Sequence, residues 1–353
     1  MAKKKVTSEE NEGEDVGVAT EEKATKKTKN VDLASLYISA NSLINRKTVV
    51  IPVSPVIDVM LGGGVPEGSF VIPTGPPKVG KSTFSLQLAA NAIRPEYACE
   101  LNPKGREVFI FNIEGRLKKR DLEGINGLDI NKVHVIGSEP GNIISAEDYI
   151  ERGERLINER PGDIFIFDSF SQLCTVDRMT ASYRDRFRDN SASLLAAFCK
   201  RICNVIPINR SIVIGITHLI ANQGGMGHSP WSEASGQKIQ YAADIKIKAT
   251  HQTPWKVGET QIGQEVHWKC TTSAIGPPGG SCSSLLRYGY GLDKEAEIVT
   301  LAADFGIIKK GGAWYTMPDE KKFQGLENTR EYLVANPTVY EDIYRQIREM
   351  LGQ

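Results

Sequence analysis

The chain has 353 residues, of which 40% are hydrophobic, enough for one large buried core with smaller attachments. Lys plus Arg and Asp plus Glu both number 43, so the formal net charge is zero. This balance excludes a strongly basic or acidic protein, and any surface for a polyanion must be local. No apolar run approaches the ~20 residues of a membrane span, and the start MAKKKVTSEENEGEDV lacks the apolar segment of a signal peptide. We therefore expect a cytoplasmic protein with no membrane partner.

The six cysteines show no paired spacing and are typical of reduced thiols in an intracellular protein. Cys199 and Cys203 are four residues apart on a predicted helix, where they could hold a metal or pack inside the core. Because no second pair lies nearby in the sequence, core packing is the favoured interpretation.

The N-terminal segment divides into two parts. Residues 1–30 alternate charged and small polar side chains, so we expect a disordered tail. From Val31 to Ile44 apolar residues recur at near-helical spacing, and KTVVIPV predicts a short strand. This element of residues 31–54 is too small to fold alone, so it must pack on another surface.

Alternating strand and helix signals follow. The predicted strands are SFVIPT, EVFIFNI, VHVIG, DIFIFDS, SIVIGIT, DIKIKAT and QEVHWKC, and the predicted helices span Ser82 to Ile93, Ala146 to Asn158 and Ser191 to Val205. Near-continuous apolar strands separated by helices are typical of a parallel sheet covered on both faces. We predict a doubly wound α/β core over residues 55–317, with a mostly parallel sheet. Its far edge should be antiparallel, because no helices separate the last strands.

After GGAWYTM the pattern becomes polar and helical, with predicted helices from Leu326 to Val334 and from Thr338 to Leu351. Pro337 cannot continue the first helix and stands where the second can begin. We predict a small C-terminal α lobe over residues 318–353.

The stretch VIPTGPPKVGKST fits G-x-x-x-x-G-K-[ST], with an apolar strand before it and helix-compatible sequence after it. Backbone N–H groups of such a loop surround phosphate oxygens, the lysine meets the β- and γ-phosphates, and the serine hydroxyl is offered to Mg²⁺. The predicted nucleotide-binding residues are Gly75, Pro76, Pro77, Lys78, Val79, Gly80, Lys81, Ser82 and Thr83. The alternative is a turn that merely joins strand to helix. The two prolines remove N–H donors, and whether Lys78 compensates is an open question.

Polar residues end three predicted strands. Asp168 ends IFIFDS, where a Walker-B carboxylate would hold Mg²⁺ or its water, although a simple strand-ending cap is the alternative. Glu114 ends VFIFNIEG and could polarise a water for attack on the γ-phosphate, or could be a solvated loop acid. His218 ends SIVIGITH, before a glycine-rich segment, where it could sense the γ-phosphate and signal to a flexible loop. Alternatively, His218 is an ordinary surface residue.

The order of LGGGVPEGSFVIPTGPPKVGKST, FIFNIEG, IFIFDS, GITHLIANQGG and DFGIIKKGGAWY resembles that of RecA-type recombinases, most closely the phage UvsX branch. The resemblance spans about residues 33 to 351. It implies a DNA-dependent ATPase that uses ATP and Mg²⁺, forms a filament on single-stranded DNA, and exchanges strands with homologous double-stranded DNA in recombination and repair. His218 falls where bacterial RecA has Gln and UvsX has His, which favours the phage branch and the host cytoplasm.

Carried over by position, the resemblance implies that Glu114 activates water, that Ser82 and Asp168 serve the Mg²⁺ site, and that Lys81 and His218 take part in catalysis. It also implies a cis peptide bond after Asp168. The first DNA loop would be about Thr175 to Asn190 and the second about Leu219 to Lys238. The candidate DNA contacts are Arg178, Met179, Arg184, Arg186, Ile220, Asn222, Gln237 and Lys238. For the first loop, a solvated helix start with internal ion pairs is the alternative.

The chain also departs from the family pattern. Lys269 falls at one of two lysines with which RecA reaches the neighbouring subunit's ATP, but Thr271 stands in place of the second. Gln240 replaces an interface Phe, and GRLKKRD does not reproduce the adenine-clamping residues. The family implies that residues 31–54 pack on the adjacent subunit of a helical homo-oligomer, with single-strand-binding and mediator proteins as candidate partners.

Two other functions compete with the recombinase. The first is a hexameric helicase or a regulatory RecA-like ATPase, against which the C-terminal lobe and GGAWY argue. The second is a nucleotide-binding scaffold without turnover, against which Glu114 argues.

Overall fold

A computed structural model describes residues 39–182, 184, 190–221, 231–233 and 238–352 of the chain. Packing divides the chain into Met1–Lys47 and Thr48–Gln353. In the described part of the first unit, helix α1 spans Ala40–Ile44, which is the end of the helix predicted from Val31. The predicted tail of residues 1–30 lies outside the described residues.

The second unit contains the remaining elements. Its strands are β1 Val50–Ile51, β2 Val65–Pro66, β3 Phe70–Gly75, β4 Val108–Asn112, β5 Val133–Gly137, β6 Ile164–Asp168, β7 Ile212–Gly215, β8 Thr217–Ala221, β9 Trp231–Glu233, β10 Ile245–Val257, β11 Thr260–Thr272, β12 Ser281–Arg287, β13 Gly291–Leu292, β14 Lys309–Gly311, β15 Trp314–Thr316 and β16 Lys322–Gln324. Its helices are α2 Pro55–Leu61, α3 Lys81–Ala92, α4 Lys119–Glu123, α5 Ala146–Glu159, α6 Val176–Thr180, α7 Ser191–Ile202, α8 Val205–Asn209, α9 Lys294–Asp304, α10 Gly325–Ala335 and α11 Pro337–Met350.

The main sheet has the order β13-β12-β11-β10-β3-β7-β6-β4-β5, and β8 also pairs with β3. All neighbours from β10 to β5 run parallel, whereas β10, β11, β12 and β13 form antiparallel pairs. The predicted α/β fold, with a mostly parallel sheet and an antiparallel far edge, is confirmed. The carboxyl ends of β3, β4, β6 and β7 therefore meet at one edge of the sheet, where β8 begins.

Helices cover both faces of the sheet because the buried strands are apolar on both sides. Along β6, Ile164 and Ile166 face the core that contains α3, whereas Phe165 and Phe167 face the core that contains α5 and α7. Period-two alternation sends successive side chains to opposite faces, so a continuous apolar strand supplies two cores at once. Cys199 of α7 is buried in the second core, which confirms its predicted packing role.

A third core joins α9, α10, α11 and the β14-β15-β16 sheet. The predicted lobe of residues 318–353 lies within this region, and Pro337 occupies the first turn of α11 as expected. The Tyr344 hydroxyl of α11 donates a hydrogen bond to Asp58 Oδ2 of α2 at 2.8 Å. Burial raises the pKa of Asp58 to about 7. Hydrogen bonds to its carboxylate lower the pKa, and the largest of these effects comes from Val53 N–H.

Several elements differ from the prediction. The strand predicted from SIVIGIT is interrupted at Ile216, although β7 and β8 keep the same register with β3. Pro73 of β3 lies opposite the interruption and has no N–H to donate across it. The helix predicted from Ser191 to Val205 ends at Ile202, and α8 follows separately. The short strand predicted in KTVVIPV is present as β1, and it pairs with β2 of the same chain. Helix α9 and strands β12 to β16 were not predicted. Among the described residues, no helix is long and apolar enough to cross a bilayer.

Replacing Phe167 by Ala should lower the free energy of unfolding by ~3–5 kcal/mol, the usual cost of emptying an aromatic core site. Phe167 is fully buried, and its ring stacks on Phe111 at 4.3 Å between centroids. Urea denaturation followed by circular dichroism measures the change. Ile143→Ala is the control, since Ile143 is 70% exposed. Equal losses in the two variants would contradict the assigned core.

Candidate active site

The predicted phosphate loop connects β3 to α3 and requires two of its glycines. Gly80 precedes α3 with φ 95°, and a Cβ there would lie 2.8 Å from Leu286 Cδ1. A Cβ on Gly75 would lie 2.9 Å from Ala249 Cβ and 3.0 Å from the Ala249 carbonyl oxygen. The left-handed conformation and the close approach both favour glycine. The loop thus places the N-terminus of α3, with its free N–H groups, at the carboxyl edge of the sheet.

The middle of the loop is anchored at Val79, which is 2% exposed and packs in the first core. Pro77 and Lys78 are exposed, and Lys78 adopts φ 62°. The Lys78 carbonyl accepts a 3.4 Å hydrogen bond from Gln264 Nε2 of β11. The antiparallel edge of the sheet therefore contacts the loop that the parallel part presents.

Lys81 is buried in the first turn of α3. Its ammonium donates to the carbonyl oxygens of Gly75 at 3.0 Å and Pro76 at 2.6 Å. Burial lowers the pKa of Lys81 to about 8, although the Asp168 and Glu114 carboxylates act in the opposite direction. The loop carbonyls hold the ammonium at a position where phosphate oxygens can replace them as hydrogen-bond acceptors.

Asp168 ends β6, and its Oδ2 accepts a 2.7 Å hydrogen bond from the Ser82 hydroxyl. Burial raises the pKa of Asp168, the Ser82 hydrogen bond lowers it, and the Glu114 carboxylate raises it. A hydroxyl and a carboxylate side by side supply the hard oxygen ligands that Mg²⁺ prefers. The pair fits a Mg²⁺–triphosphate group beside Lys81. The peptide bond between Asp168 and Ser169 is cis, as the family resemblance implies.

Glu114 follows β4 and connects the neighbouring strand ends. Its N–H donates to the Asp168 carbonyl at 3.0 Å. Its Oε1 accepts from the Ser169 hydroxyl at 3.0 Å and lies 2.8 Å from His218 Nε2. Since β8 places His218 in register with Gly75, this contact reaches the phosphate loop.

The surroundings of His218 favour its neutral form. Burial lowers its pKa, as does the positive charge of Lys81, while the Glu114 carboxylate raises it. Neutral His218 therefore donates Nε2–H to Glu114, a tautomer that we infer from the acceptor. The backbone N–H of His218 donates to Ser171 Oγ at 2.8 Å. The strand-end histidine is thus partly buried and hydrogen-bonded.

The structure brings together Lys81, Ser82, Glu114, Asp168 and His218, which we name the catalytic cluster. Lys269 is exposed on β11 and, within the described ranges, makes no hydrogen bond or ion pair with the catalytic cluster. Ser169 and Ser171 were missed as positioning residues. Their position directly after Asp168 was the available signal.

The DNA-contact candidates are described only in part. Arg178 and Met179 lie on α6 and are exposed, as is Arg184. For Ile220 in β8 and Lys238 in the turn Lys238–Ala242, the backbone is described. Arg186, Asn222 and Gln237 lie outside the described residues.

Comparison with known families matches this fold and site. The RecA N-terminal domain matches residues 34–293, and the RecA C-terminal domain matches residues 296–352. The chain belongs to the RecA family. Relatives of this RecA-family chain include Protein RecA of Lactobacillus johnsonii, 27% identical over 84% of this chain and 78% of its own length. Protein RecA of Clostridium botulinum is 29% identical over 83% and 78%, and that of Azoarcus sp. is 27% identical over 84% and 82%.

Nucleotide affinity should fall as the pH rises above about 8, the pKa of Lys81 in the free protein. Phosphate binds the ammonium form of Lys81. Above this pKa, the affinity should fall by up to ~10-fold per pH unit, and binding should take up a proton. Calorimetric titration between about pH 7 and 9, in buffers of different ionisation enthalpy, measures both effects. Lys81→Arg is the control, since a guanidinium stays charged and should flatten the profile. A constant wild-type affinity would contradict the assignment.

Proposed function

We propose that this RecA-family protein is an ATP-dependent DNA recombinase. It forms filaments on single-stranded DNA and catalyses homologous pairing and strand exchange with double-stranded DNA in recombination and repair. The contact between Glu114 Oε1 and His218 Nε2, 2.8 Å long, is the observation that carries the proposal. It joins a candidate hydrolytic carboxylate to the strand that leads toward the second predicted DNA loop. A simple nucleotide-binding module has no need of such a connection.

The catalytic cluster supports ATP hydrolysis. Lys81 and the N-terminus of α3 would bind phosphate oxygens, while Ser82 and Asp168 would hold Mg²⁺. Bound Mg²⁺ supplies charge neutralisation at the phosphate oxygens. Glu114 would orient a water and take its proton, and hydrogen bonds from Ser169 and His218 hold one of its carboxylate oxygens in place.

Coupling to DNA would pass through β8. His218 lies near the start of this strand. Strand β8 pairs with β9, and Leu219 is in register with Glu233. A γ-phosphate beside Glu114 would accept hydrogen bonds from the same donors as the Glu114 carboxylate, and His218 is one of these donors. The nucleotide state would therefore bias the position of His218. The predicted second loop, residues 219–238, would transmit this bias to DNA through Ile220, Asn222, Gln237 and Lys238.

Exposed basic and flexible side chains support a first DNA contact after α5. Arg178 and Met179 protrude from α6, and Arg184 follows. Arginines would neutralise phosphates, whereas Met179, 40% exposed, could wedge against bases. We include Arg186 from the sequence pattern alone.

Filament formation would use the part of residues 31–54 that precedes β1, together with the outer edge of the main sheet. Strand β5 ends the sheet on one side, and Val135 on it is 49% exposed. An exposed apolar edge strand can accept a segment from another copy. Lys269 would act on the nucleotide of that neighbouring copy.

We favour the phage UvsX-like branch of the family, because His218 stands where that branch has His and bacterial RecA has Gln. Such a protein would act in the cytoplasm of a bacterial host, beside single-strand-binding and mediator proteins.

Single-stranded DNA should stimulate ATP hydrolysis, and Glu114→Gln should lower the stimulated rate by ~10²–10⁴-fold, since the general base is lost. A titration of DNA at saturating ATP measures this effect. Glu259→Gln changes an exposed carboxylate between β10 and β11 and is the matched control. Hydrolysis that does not respond to DNA, or that survives in Glu114→Gln, would contradict the proposed activity and the role of Glu114, whereas a wild-type protein without hydrolysis would favour a non-catalytic scaffold.

Lys81→Ala should abolish nucleotide-dependent filament growth on DNA, because the charge that neutralises the phosphates is removed. Electron microscopy and DNA pelleting with ATP measure assembly, with Lys104→Ala, an exposed lysine, as the control. Closed rings instead of helical filaments in the wild type would favour a hexameric helicase. Unchanged pelleting of Lys81→Ala would contradict the assigned role of the loop.

A further inference from the structure

Two carboxylates are buried at the boundary between the two RecA domains of the chain. The C-terminal domain, residues 296–352, contains most of α9 and all of α10 and α11, whereas α2 and β12 belong to the N-terminal domain. Asp58 lies on α2 and Glu297 lies on α9, and these residues are 3% and 1% exposed. Each domain therefore buries one carboxylate at their common boundary.

Each of these carboxylates accepts hydrogen bonds from the opposite domain. The Tyr344 hydroxyl of α11 donates to Asp58 Oδ2 at 2.8 Å. In the other direction, Glu297 Oε1 accepts from Leu285 N–H of β12 at 3.0 Å, and its Oε2 accepts from Val56 N–H of α2 at 3.5 Å. Separation of the two domains would break all three hydrogen bonds and expose both carboxylates to water.

The surroundings of the two carboxylates supply little positive charge. The titratable and charged side chains that face them are Tyr340, Tyr344 and Arg348 of α11, Tyr97 of the turn after α3, Cys282 of β12 and Asp293 before α9. Arg348 is the cation of this set, and its guanidinium lies over the Tyr344 ring, 5.9 Å from the centroid. Within the described ranges, neither carboxylate forms an ion pair. A buried carboxylate without a paired cation is favoured in its protonated form.

Burial is the largest influence on the ionisation of both groups. It raises the pKa of Asp58 to about 7 and the pKa of Glu297 to about 8, although hydrogen bonds to the carboxylates act in the opposite direction. In water, carboxyl groups of this kind have pKa values of ~4. The closed boundary therefore binds protons that the open boundary releases. Its stability is fully present below about pH 4 and is lost as the pH rises toward 8.

A second contact between the same domains is built from ion pairs. Arg287 of β12 donates to Glu327 of α10 at 2.6 Å, and Arg330 of α10 donates to the Asp293 carboxylate at 2.6 Å. Each carboxylate in this contact is paired with a guanidinium, so its burial requires no proton. The C-terminal domain is thus held at two places, and protons stabilise the one between α2, α9 and α11.

We propose that Asp58, Glu297 and Tyr344 form a proton-dependent latch, which closes the boundary between the two domains in acid and opens it as the pH rises. The α10 ion pairs keep the C-terminal domain attached when the latch opens. Loss of the proton from Asp58 leaves a charge beside the Tyr344 ring, and water reaches this charge only when α11 moves away from α2. The latch does not depend on the proposed function, because it requires only the fold of one subunit.

Hydrogen exchange at single amides measures the latch. The N–H groups of Val56 and Leu285 donate to Glu297, so opening exposes them. Their protection, relative to an unstructured peptide at the same pH, should fall by up to ~100-fold per pH unit between about pH 5 and 7, since two protons are released. Amides within β6 and α10 should keep their protection, because opening is local. Constant protection of the two reporter amides would overturn the proposal.

Variants that mimic the protonated acids separate the two contributions. Asp58→Asn and Glu297→Gln should each reduce the loss of protection to at most ~10-fold per pH unit, and the double variant should show none. Glu341→Gln, which changes an exposed carboxylate on α11, is the matched control and should behave as the wild type. A double variant that keeps the wild-type pH dependence would overturn the proposal.

Carbon-13 NMR of the side-chain carboxyl groups tests the latch without any substitution that could prevent folding. In the folded wild type, Asp58 and Glu297 should titrate well above the ~4 of a solvated carboxyl group. Midpoints near ~4 for both groups would show that the boundary accepts their charge, and would overturn the proposal. The measurement needs neither nucleotide nor DNA, so its failure leaves the proposed recombinase function intact.

Discussion

One carboxylate oxygen links the parts of this site. Glu114 Oε1 accepts from the Ser169 hydroxyl and from His218 Nε2, at 3.0 and 2.8 Å. Glu114 follows β4, Ser169 follows β6, and His218 lies in β8, so the contact joins three strands of one sheet edge. It exists because parallel strands bring their carboxyl ends to the same side. Displacing any one of these strands would separate Glu114 from Ser169, from His218 or from both.

The electrostatics of the site suit a charged ligand. Burial is the largest influence on both Lys81 and Asp168, lowering the pKa of the first and raising that of the second. Each group is therefore held in surroundings that disfavour its charge. A nucleotide phosphate beside Lys81 and a cation beside Asp168 reverse this effect, because each supplies the opposite charge at close range. Ligand binding and ionisation of the site are linked by this arrangement.

The antiparallel edge of the sheet has two different faces. On one face, Trp268 and Val266 pack in the first core, and Gln264 contacts the phosphate loop. On the other face, Lys248 and Lys269 remain without a counter-charge in the described chain.

The sequence alone determined the phosphate loop, the apolar strands of the parallel sheet and the polar residues that end them. Glycine spacing and strand periodicity are local, so they can be read without knowing the fold. The tertiary structure decided the break at Ile216, since the pairing register places Pro73 of β3, which has no N–H, opposite it. It also decided that Glu114 meets His218 and that Lys248 faces Lys269. Pairing register depends on partners distant in the chain, and a shift of one residue would turn each lysine into the core.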